Sequence, residues 1–153
     1  MSSIATSDVN LRRIIVPLDG SEPSFRAAKY AVKIAKMSEA EIIFMHAVVK
    51  PPYIEYKGAG IALVHYIDEI KRYAEAWYKT AGDIASKEGV KFTTDTILDV
   101  VSASEAIVNY AEDKKADLIV IGTKGRSGIK RVLLGSVASG VVSHAKCPVL
   151  VVR

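Results

Sequence analysis

The sequence predicts an α/β fold in which helices cover both faces of an open, parallel, five-stranded sheet. Three observations carry this prediction. Short apolar runs alternate with longer segments of helical periodicity, the pattern of successive βαβ units. The runs are mostly continuous rather than alternating, as is typical of strands that helices cover on both faces. The chain has 153 residues, which suits a single domain with one sizeable core.

Five segments have the length and composition of strands. Four are almost wholly apolar, whereas residues 90–98 (VKFTTDTIL) alternate polar and apolar side chains. Such alternation is expected of an edge strand that has one face in water. In chain order, the predicted strands are residues 13–18, 41–49, 90–98, 117–121 and 148–152.

Four segments between the strands carry apolar residues at intervals of three and four, the spacing of one helix face. The longest continues this spacing through Trp77, which we expect in the core. Ser102 is placed to cap the third helix. Pro148 ends the fourth, because the residue before a proline resists helical geometry. The helices are predicted at residues 24–38, 61–87, about 102–111 and about 136–145.

Composition and charge narrow the functional class. A formal net charge of +4 permits an anionic ligand but falls short of the clustered basic footprint of a nucleic-acid binder. No apolar run reaches the roughly 18–20 residues of a membrane span, and residues 1–10 are a polar lead-in rather than a secretory signal. The single cysteine, Cys147, excludes an intrachain disulfide framework. We therefore expect a cytoplasmic protein in which residues 11–153 form one domain.

The most informative stretch is residues 122–136 (GTKGRSGIKRVLLGS), between the fourth strand and the last helix. Its glycines, Gly122, Gly125 and Gly135, lack the Cβ that would hinder tight turns and the approach of a phosphate. Backbone N–H groups that precede a helix can surround an anion. The stretch contains basic residues and no acidic one: Lys124, Arg126, Lys130 and Arg131. It predicts a phosphate-binding loop, with a flexible, solvated basic connection as the alternative.

A second polar strand end, Asp19-Gly20-Ser21, follows the first strand. With the strand order 3-2-1-4-5, strands one and four are neighbours at the point where ligands bind in open α/β sheets. Asp19 and Gly122 would then meet at one edge. An ionised carboxylate only accepts hydrogen bonds, so Asp19 suits a ribose hydroxyl or an exocyclic amine and would repel phosphates. The sequence Asp19-Gly20-Ser21 is also typical of a turn, which leaves a purely structural role open for Asp19.

The spacing Gly122-x2-Gly125-x9-Gly135-Ser136 resembles the ATP-binding signature of the universal stress protein family. The first strand with its loop (IVPLDGS) and the last strand (PVLVV) resemble that family too, and the three anchors occur in its order. The resemblance covers residues 11–153. It implies the five-stranded adenine nucleotide alpha hydrolase-like fold, a homodimer that often pairs the last strands, and bound ATP or a related adenine nucleotide, with or without Mg²⁺.

By position, the resemblance assigns two groups of residues to the cleft. Pro17 and Asp19 would line the nucleoside pocket. After the position of His46, the family often has a valine whose backbone contacts adenine, and this chain has Ala47 and then Val48 there. Ribose and phosphates would be held by Gly122, Gly125, Arg126, Gly135, Ser136 and Val137.

Other reactive residues do not assemble into a second site. His46 ends an apolar run and is more often a core or strand-end residue than a ligand contact. His144 and Cys147 are too few for a metal site, and Cys147 is expected to be a buried small hydrophobe. The loop at residues 122–128 lacks the lysine of a Walker motif, and Asp-Gly-Ser after the first strand is not the dinucleotide fingerprint. The aromatic residues of the irregular segment 50–60 could either pack within that loop alone or cover a bound adenine as a lid.

The pattern favours a nucleotide-binding regulator, a switch read by an unidentified protein partner. Efficient phosphoryl transfer needs a metal held by carboxylates and a group that orients the nucleophile, whereas Asp19 is the one carboxylate with a reason to lie in the cleft. No catalytic or metal-ligating residue is assigned. Two alternatives stay open: a slow Mg-dependent ATPase or nucleotidyl-transferring enzyme, and an interaction module for another anion, such as a cyclic nucleotide.

Overall fold

The computed structural model describes residues 9–51, 60–124 and 134–153. Strands and helices alternate along them, as predicted, and several ends are displaced by one or two residues from the predicted ones. The elements are β1 (Arg13–Pro17), α1 (Glu22–Ser38), β2 (Glu41–Val49), α2 (Gly60–Lys87), β3 (Phe92–Val100), α3 (Ala103–Asp113), β4 (Leu118–Gly122), α4 (Ser136–His144) and β5 (Val149–Val152).

The strands form one parallel sheet in the order β3-β2-β1-β4-β5, which confirms the predicted order. The central strand is β1, in which Ile15 is paired with Ile43 of β2 on one side and with Ile119 of β4 on the other. As its alternating sequence predicted, β3 lies at one edge, and β5 lies at the other. The carboxyl ends of β1 and β4 are therefore adjacent.

Two apolar layers explain why the central strands are almost continuously apolar. Ile14 of β1 points to one face of the sheet, where it belongs to a cluster with Ala28 of α1 and Ala81 of α2. Ile15 points to the opposite face and clusters with Ile107 of α3. Both isoleucines are fully buried. Because helices cover the two faces, neither set of alternating side chains is left to water.

The start of α1 is fixed by a serine cap. The Ser21 hydroxyl accepts the N–H of Ser24, and Pro23 lies in the first turn, where the N–H that proline lacks would have no helical partner. The helix consequently begins at Glu22, two residues before the predicted start. This places its first turn directly after the loop that carries Asp19.

The longest helix, α2, is buried along only part of its length. Its buried residues are Ala74, Ala81, Gly82 and Ala85, all in the second half, whereas Ile61 and Val64 in the first half are exposed. Within the described ranges, no helix is both long enough and apolar enough to cross a membrane.

Candidate functional site

A cleft of about 140 Å³ opens at the carboxyl ends of β1 and β4, the place where the winding of the sheet changes direction. Most of the predicted site residues that the structure describes line it: Pro17, Asp19, Ala47, Gly122, Gly135, Ser136 and Val137. Val48 is buried and is not part of the lining, because successive strand residues point to opposite faces. Gly125 and Arg126 lie outside the described residues.

Asp19 combines a turn with an open acceptor. Its Oδ1 accepts the N–H of Ser21 at 2.9 Å, so the turn interpretation of this residue is correct. Within the described part of the chain, Oδ2 makes no hydrogen bond. A carboxylate can accept about four hydrogen bonds, so the turn leaves acceptor capacity on a half-buried group in the cleft.

Gly122 has a packing role that sequence reasoning did not find. A Cβ on this residue would lie 2.8 Å from the carbonyl carbon of Pro23 and 2.9 Å from the nitrogen of Ser24. Both atoms belong to the backbone of the first turn of α1. The absence of a side chain therefore lets α1 pack against the end of β4. This packing contact is separate from the predicted reason for the glycine, room for a phosphate, which stays a prediction.

The amino end of α4 opens into the cleft, with one correction to the prediction. The N–H of Gly135 donates to the carbonyl of Thr123 at 2.6 Å, so it is not available to a phosphate in this conformation. Gly135 is instead the N-cap and provides no side-chain cap. The following N–H groups, of Ser136 and Val137, have no acceptor within a helix, and they lie at the positive end of its dipole.

Lys124 lies beside this helix end in the cleft lining. In the sequence it is one of four basic residues between Gly122 and Ser136, and no pattern distinguishes it from the others as a site residue. The Ser21 hydroxyl donates a long hydrogen bond, 3.4 Å, to its carbonyl, which connects the loop after β1 to the loop after β4. Among the lining residues that the structure describes, Asp19 and Lys124 are the two with formal charges.

His46 also lines the cleft, at the carboxyl end of β2. Its Nδ1 lies 2.7 Å from the carbonyl oxygen of Leu18, and because a carbonyl only accepts, Nδ1 carries the hydrogen of this bond. The ring packs edge-on against Trp77, with the two ring centroids 5.1 Å apart. His46 is thus a satisfied strand-end residue, as expected, and at the same time part of the cleft. The signal for the second role was its position at the end of a strand next to β1.

The apolar part of the lining could not be found from the sequence. Ile107 of α3 and Ile121 of β4 contribute to it, yet periodicity marks both only as core residues. Their place in the cleft follows from how α3 packs on the sheet.

Outside the cleft, Cys147 is half-buried, and burial raises the pKa of its thiol. Cys147 packs at the margin of the apolar cluster that contains Ile107, so it acts as a small hydrophobe but is less buried than expected. Across the described ranges, no group of three or more His, Cys, Asp or Glu side chains is arranged to hold a metal ion.

The model of the universal stress protein family matches residues 10–153. The chain belongs to the universal stress protein family. A universal stress protein of Methanocaldococcus jannaschii is 42% identical over 155 residues, which cover 100% of this chain and 89% of that protein.

Two solved structures of universal stress proteins have the same fold. The protein UspA from Lactobacillus plantarum is 28% identical, with a TM-score of 0.84 over 94% of this chain and 99% of its own. A universal stress protein in complex with cAMP is 29% identical, with a TM-score of 0.66 over 93% of this chain and 96% of its own. The predicted family and fold class are thereby confirmed.

Proposed function

We propose that this universal stress protein binds an adenine nucleotide in the cleft between β1 and β4 and acts in the cytoplasm as a nucleotide-dependent switch. One observation carries the proposal: a carboxylate with an open oxygen and the uncapped amino end of a helix line the same cleft. These are the two kinds of group that a nucleoside and a phosphate need. The complex of a relative with cAMP supports the choice of an adenine nucleotide.

The nucleoside end of the proposed site is formed around Asp19. Its Oδ2 would accept a hydrogen bond from a ribose hydroxyl or an exocyclic amine. Apolar residues of the lining offer a surface for a base: Pro17, Ala47, Ile107 and Ile121. A flat, largely apolar ring in such surroundings, held by a few placed polar groups, is the usual arrangement of small-ligand sites.

The phosphate end is formed around the amino end of α4. The N–H groups of Ser136 and Val137 would donate to phosphate oxygens, and the helix dipole favours the negative charge by about 0.3–1 kcal/mol when exposed. Lys124 adds a full positive charge beside them. Gly125 and Arg126 complete this end of the proposed site by their place in the motif. ATP, with or without Mg²⁺, is the nucleotide that we propose.

We propose binding rather than efficient turnover. Asp19 is the one carboxylate that lines the cleft among the described residues, whereas efficient phosphoryl transfer uses carboxylates to hold metal ions and a further group to orient the nucleophile. A regulatory role needs only that the bound state differ from the free one on a surface that a protein partner reads.

Binding can be tested directly with the purified protein. Mass spectrometry of the denatured protein should detect co-purified adenine nucleotide, and equilibrium dialysis with ATP, ATP·Mg and cAMP should give saturable binding. The variant Asp19→Asn keeps an oxygen for the N–H of Ser21 but loses the charge, so we expect affinity to fall about tenfold or more, the value of a hydrogen bond to a charged group.

The matched control is Asp83→Asn, which makes the same change of charge on an exposed residue of α2 and should leave affinity unchanged. The absence of saturable binding for all three nucleotides would refute the proposal. Equal affinities of Asp19→Asn and Asp83→Asn would remove Asp19 from the site.

The resemblance to the family also implies a homodimer, and we propose that it forms through β5. This strand is at an edge of the sheet and pairs with β4 alone in the described part of the chain. Unpaired N–H and C=O groups on such an edge favour pairing with another strand.

A further inference from the structure

Trp77, the only tryptophan in the chain, lies directly on the loop that carries Asp19. A Cβ added to Gly20 would be 2.5 Å from both Cε2 and Nε1 of the indole and 2.7 Å from Cζ2. Gly20 also has a φ of +82°, a conformation that other residues rarely adopt. The glycine therefore meets two demands at once, a left-handed turn and close contact with a flat aromatic ring.

His46 extends this contact to the lining of the cleft. Its ring is perpendicular to the indole, at an interplanar angle of 84°, and its Nδ1–H is bonded to the carbonyl of Leu18, the residue before Asp19. The loop after β1 is thus in contact with the indole of Trp77 at Gly20 and with the imidazole of His46 at Leu18. A displacement of Asp19 by a ligand has to be accommodated by this pair of rings.

Trp77 connects the loop that carries Asp19 to the part of α2 where the packed half of the helix begins. Every buried residue of α2 lies at or after Ala74, so Trp77 stands close to where the packed half of the helix meets the exposed half. The exposed half carries Ile61 and Val64 at 77% and 57% exposure. A helix segment with few buried contacts is easily displaced, because its opening costs little free energy.

We propose that Trp77 is a positioning residue for Asp19 and that it couples nucleotide binding to the position of α2. The inference rests on the proposed function and adds to it the element through which the bound state is transmitted. In this account, ligand binding to Asp19 shifts the Gly20 turn, the indole follows, and the surface of α2 changes.

Fluorescence of Trp77 tests the contact without a new label. ATP titrated into the protein, with excitation beyond its absorption band, should change the emission of Trp77 along the same curve as binding measured by dialysis. The control is the double variant Trp77→Phe/Tyr30→Trp, which moves the reporter to an exposed position on α1. It should still bind ATP while its emission stays constant.

A double-mutant cycle tests the positioning role. Trp77→Leu should weaken ATP binding about tenfold, the factor that a loss of about 1.4 kcal/mol produces, and Trp77→Phe should retain part of the affinity. Gly20→Ala should weaken ATP binding strongly in the protein that has tryptophan at position 77. In the Trp77→Leu protein the same change should weaken it less, because leucine leaves space for the added methyl group. Non-additivity of this kind is the signature of residues in contact.

The matched control is Ile84→Ala, which removes a partly buried side chain of α2 from the same apolar cluster away from the loop. It should lower the melting temperature without lowering affinity. Two results would overturn the inference while leaving the proposed function intact. One is that Gly20→Ala and Trp77→Leu have additive effects on the free energy of ATP binding, and the other is that the emission of the wild-type protein does not change when ATP binds. Failure of the wild-type protein to bind any adenine nucleotide in dialysis would instead refute the proposed function, and the inference with it.

Discussion

Single residues of the cleft have packing tasks as well as the chemistry that their motif suggests. Gly122 is required where the backbone of Pro23 crosses the end of β4, and Gly135 uses its N–H to hold the start of α4 against Thr123. Asp19 uses Oδ1 to form a turn with Ser21, and its remaining capacity to accept hydrogen bonds faces the cleft. These contacts within the protein therefore position the described loop residues at the cleft.

Gly122→Ala should destabilise the fold. The new methyl group would overlap backbone atoms of α1, which cannot rotate away as a side chain can, and overpacking of this kind costs about 1–3 kcal/mol. Chemical denaturation measures the effect. Gly60→Ala is the control, because its Cβ would meet no atom of the described residues within 4 Å and the residue begins a helix. An unchanged stability of Gly122→Ala would show that α1 does not approach β4 as described.

The edge strand β3 is held by tyrosines from both faces of the sheet. Tyr78 of α2 donates its hydroxyl hydrogen to the carbonyl of Asp95 at 2.6 Å, and Tyr110 of α3 donates to Oδ2 of the same residue at 2.8 Å. Burial raises the pKa of both tyrosines, and the bond to Asp95 raises that of Tyr110 further. An edge strand that has only one strand neighbour is thereby fixed to the helices on both sides.

This arrangement predicts a loss of stability at alkaline pH. The folded state favours the protonated tyrosines, so their stabilisation is complete below their unfolded pKa of about 10 and is lost as pH rises above it. Urea unfolding between pH 8 and pH 11 should show a falling free energy of unfolding.

Tyr110→Phe should lower stability by about 1–2 kcal/mol at pH 8, because the carboxylate of Asp95 loses a hydrogen bond. It should also make the alkaline fall smaller. Tyr30→Phe, on an exposed residue of α1, provides the control for removal of a hydroxyl. An identical pH dependence in Tyr110→Phe and the wild-type protein would contradict the role of Tyr110.

At the scale of the whole molecule, one sheet presents two different edges. The edge at β3 is long, whereas β5 has only four residues. The carbonyls of Pro148 and Val152 accept hydrogen bonds from Ile119 of β4 and from Thr123 directly after it. Because the N–H and C=O of one strand residue point to the same side, the alternate residues Val149 and Val151 direct theirs to the open edge. Pairing of a second copy along β5 would satisfy those groups.

Val151→Pro should weaken the proposed dimer selectively. Proline removes an N–H that points away from β4, and such positions on edge strands tolerate it. Since a two-fold interface contains the change twice, we expect association about tenfold weaker or worse. Light scattering across a dilution series measures it, with Val151→Ala as the control. A wild-type monomer, or a dimer that Val151→Pro does not affect, would exclude this interface.

The sequence by itself determined the elements, their order along the chain and the two strand ends that form the cleft. These features depend on local signals: the period of the apolar residues, the positions of proline and glycine, and serine caps. Each signal lies within a few residues of the feature that it predicts, so β3 was recognisable as an edge strand and α4 as a helix that starts after Gly135. The spacing of Gly122, Gly125 and Gly135, together with the first strand and its loop and the last strand, indicated the family.

Only the tertiary structure decided what each of these residues does. The backbone of Pro23 against Gly122, the indole of Trp77 on Gly20 and the carbonyl of Leu18 at His46 are contacts between residues far apart in the chain. The same holds for the place of Ile107 in the cleft and for the choice of Ala47 over Val48. Such contacts depend on how complete elements pack, and no local pattern of residues encodes the geometry of that packing.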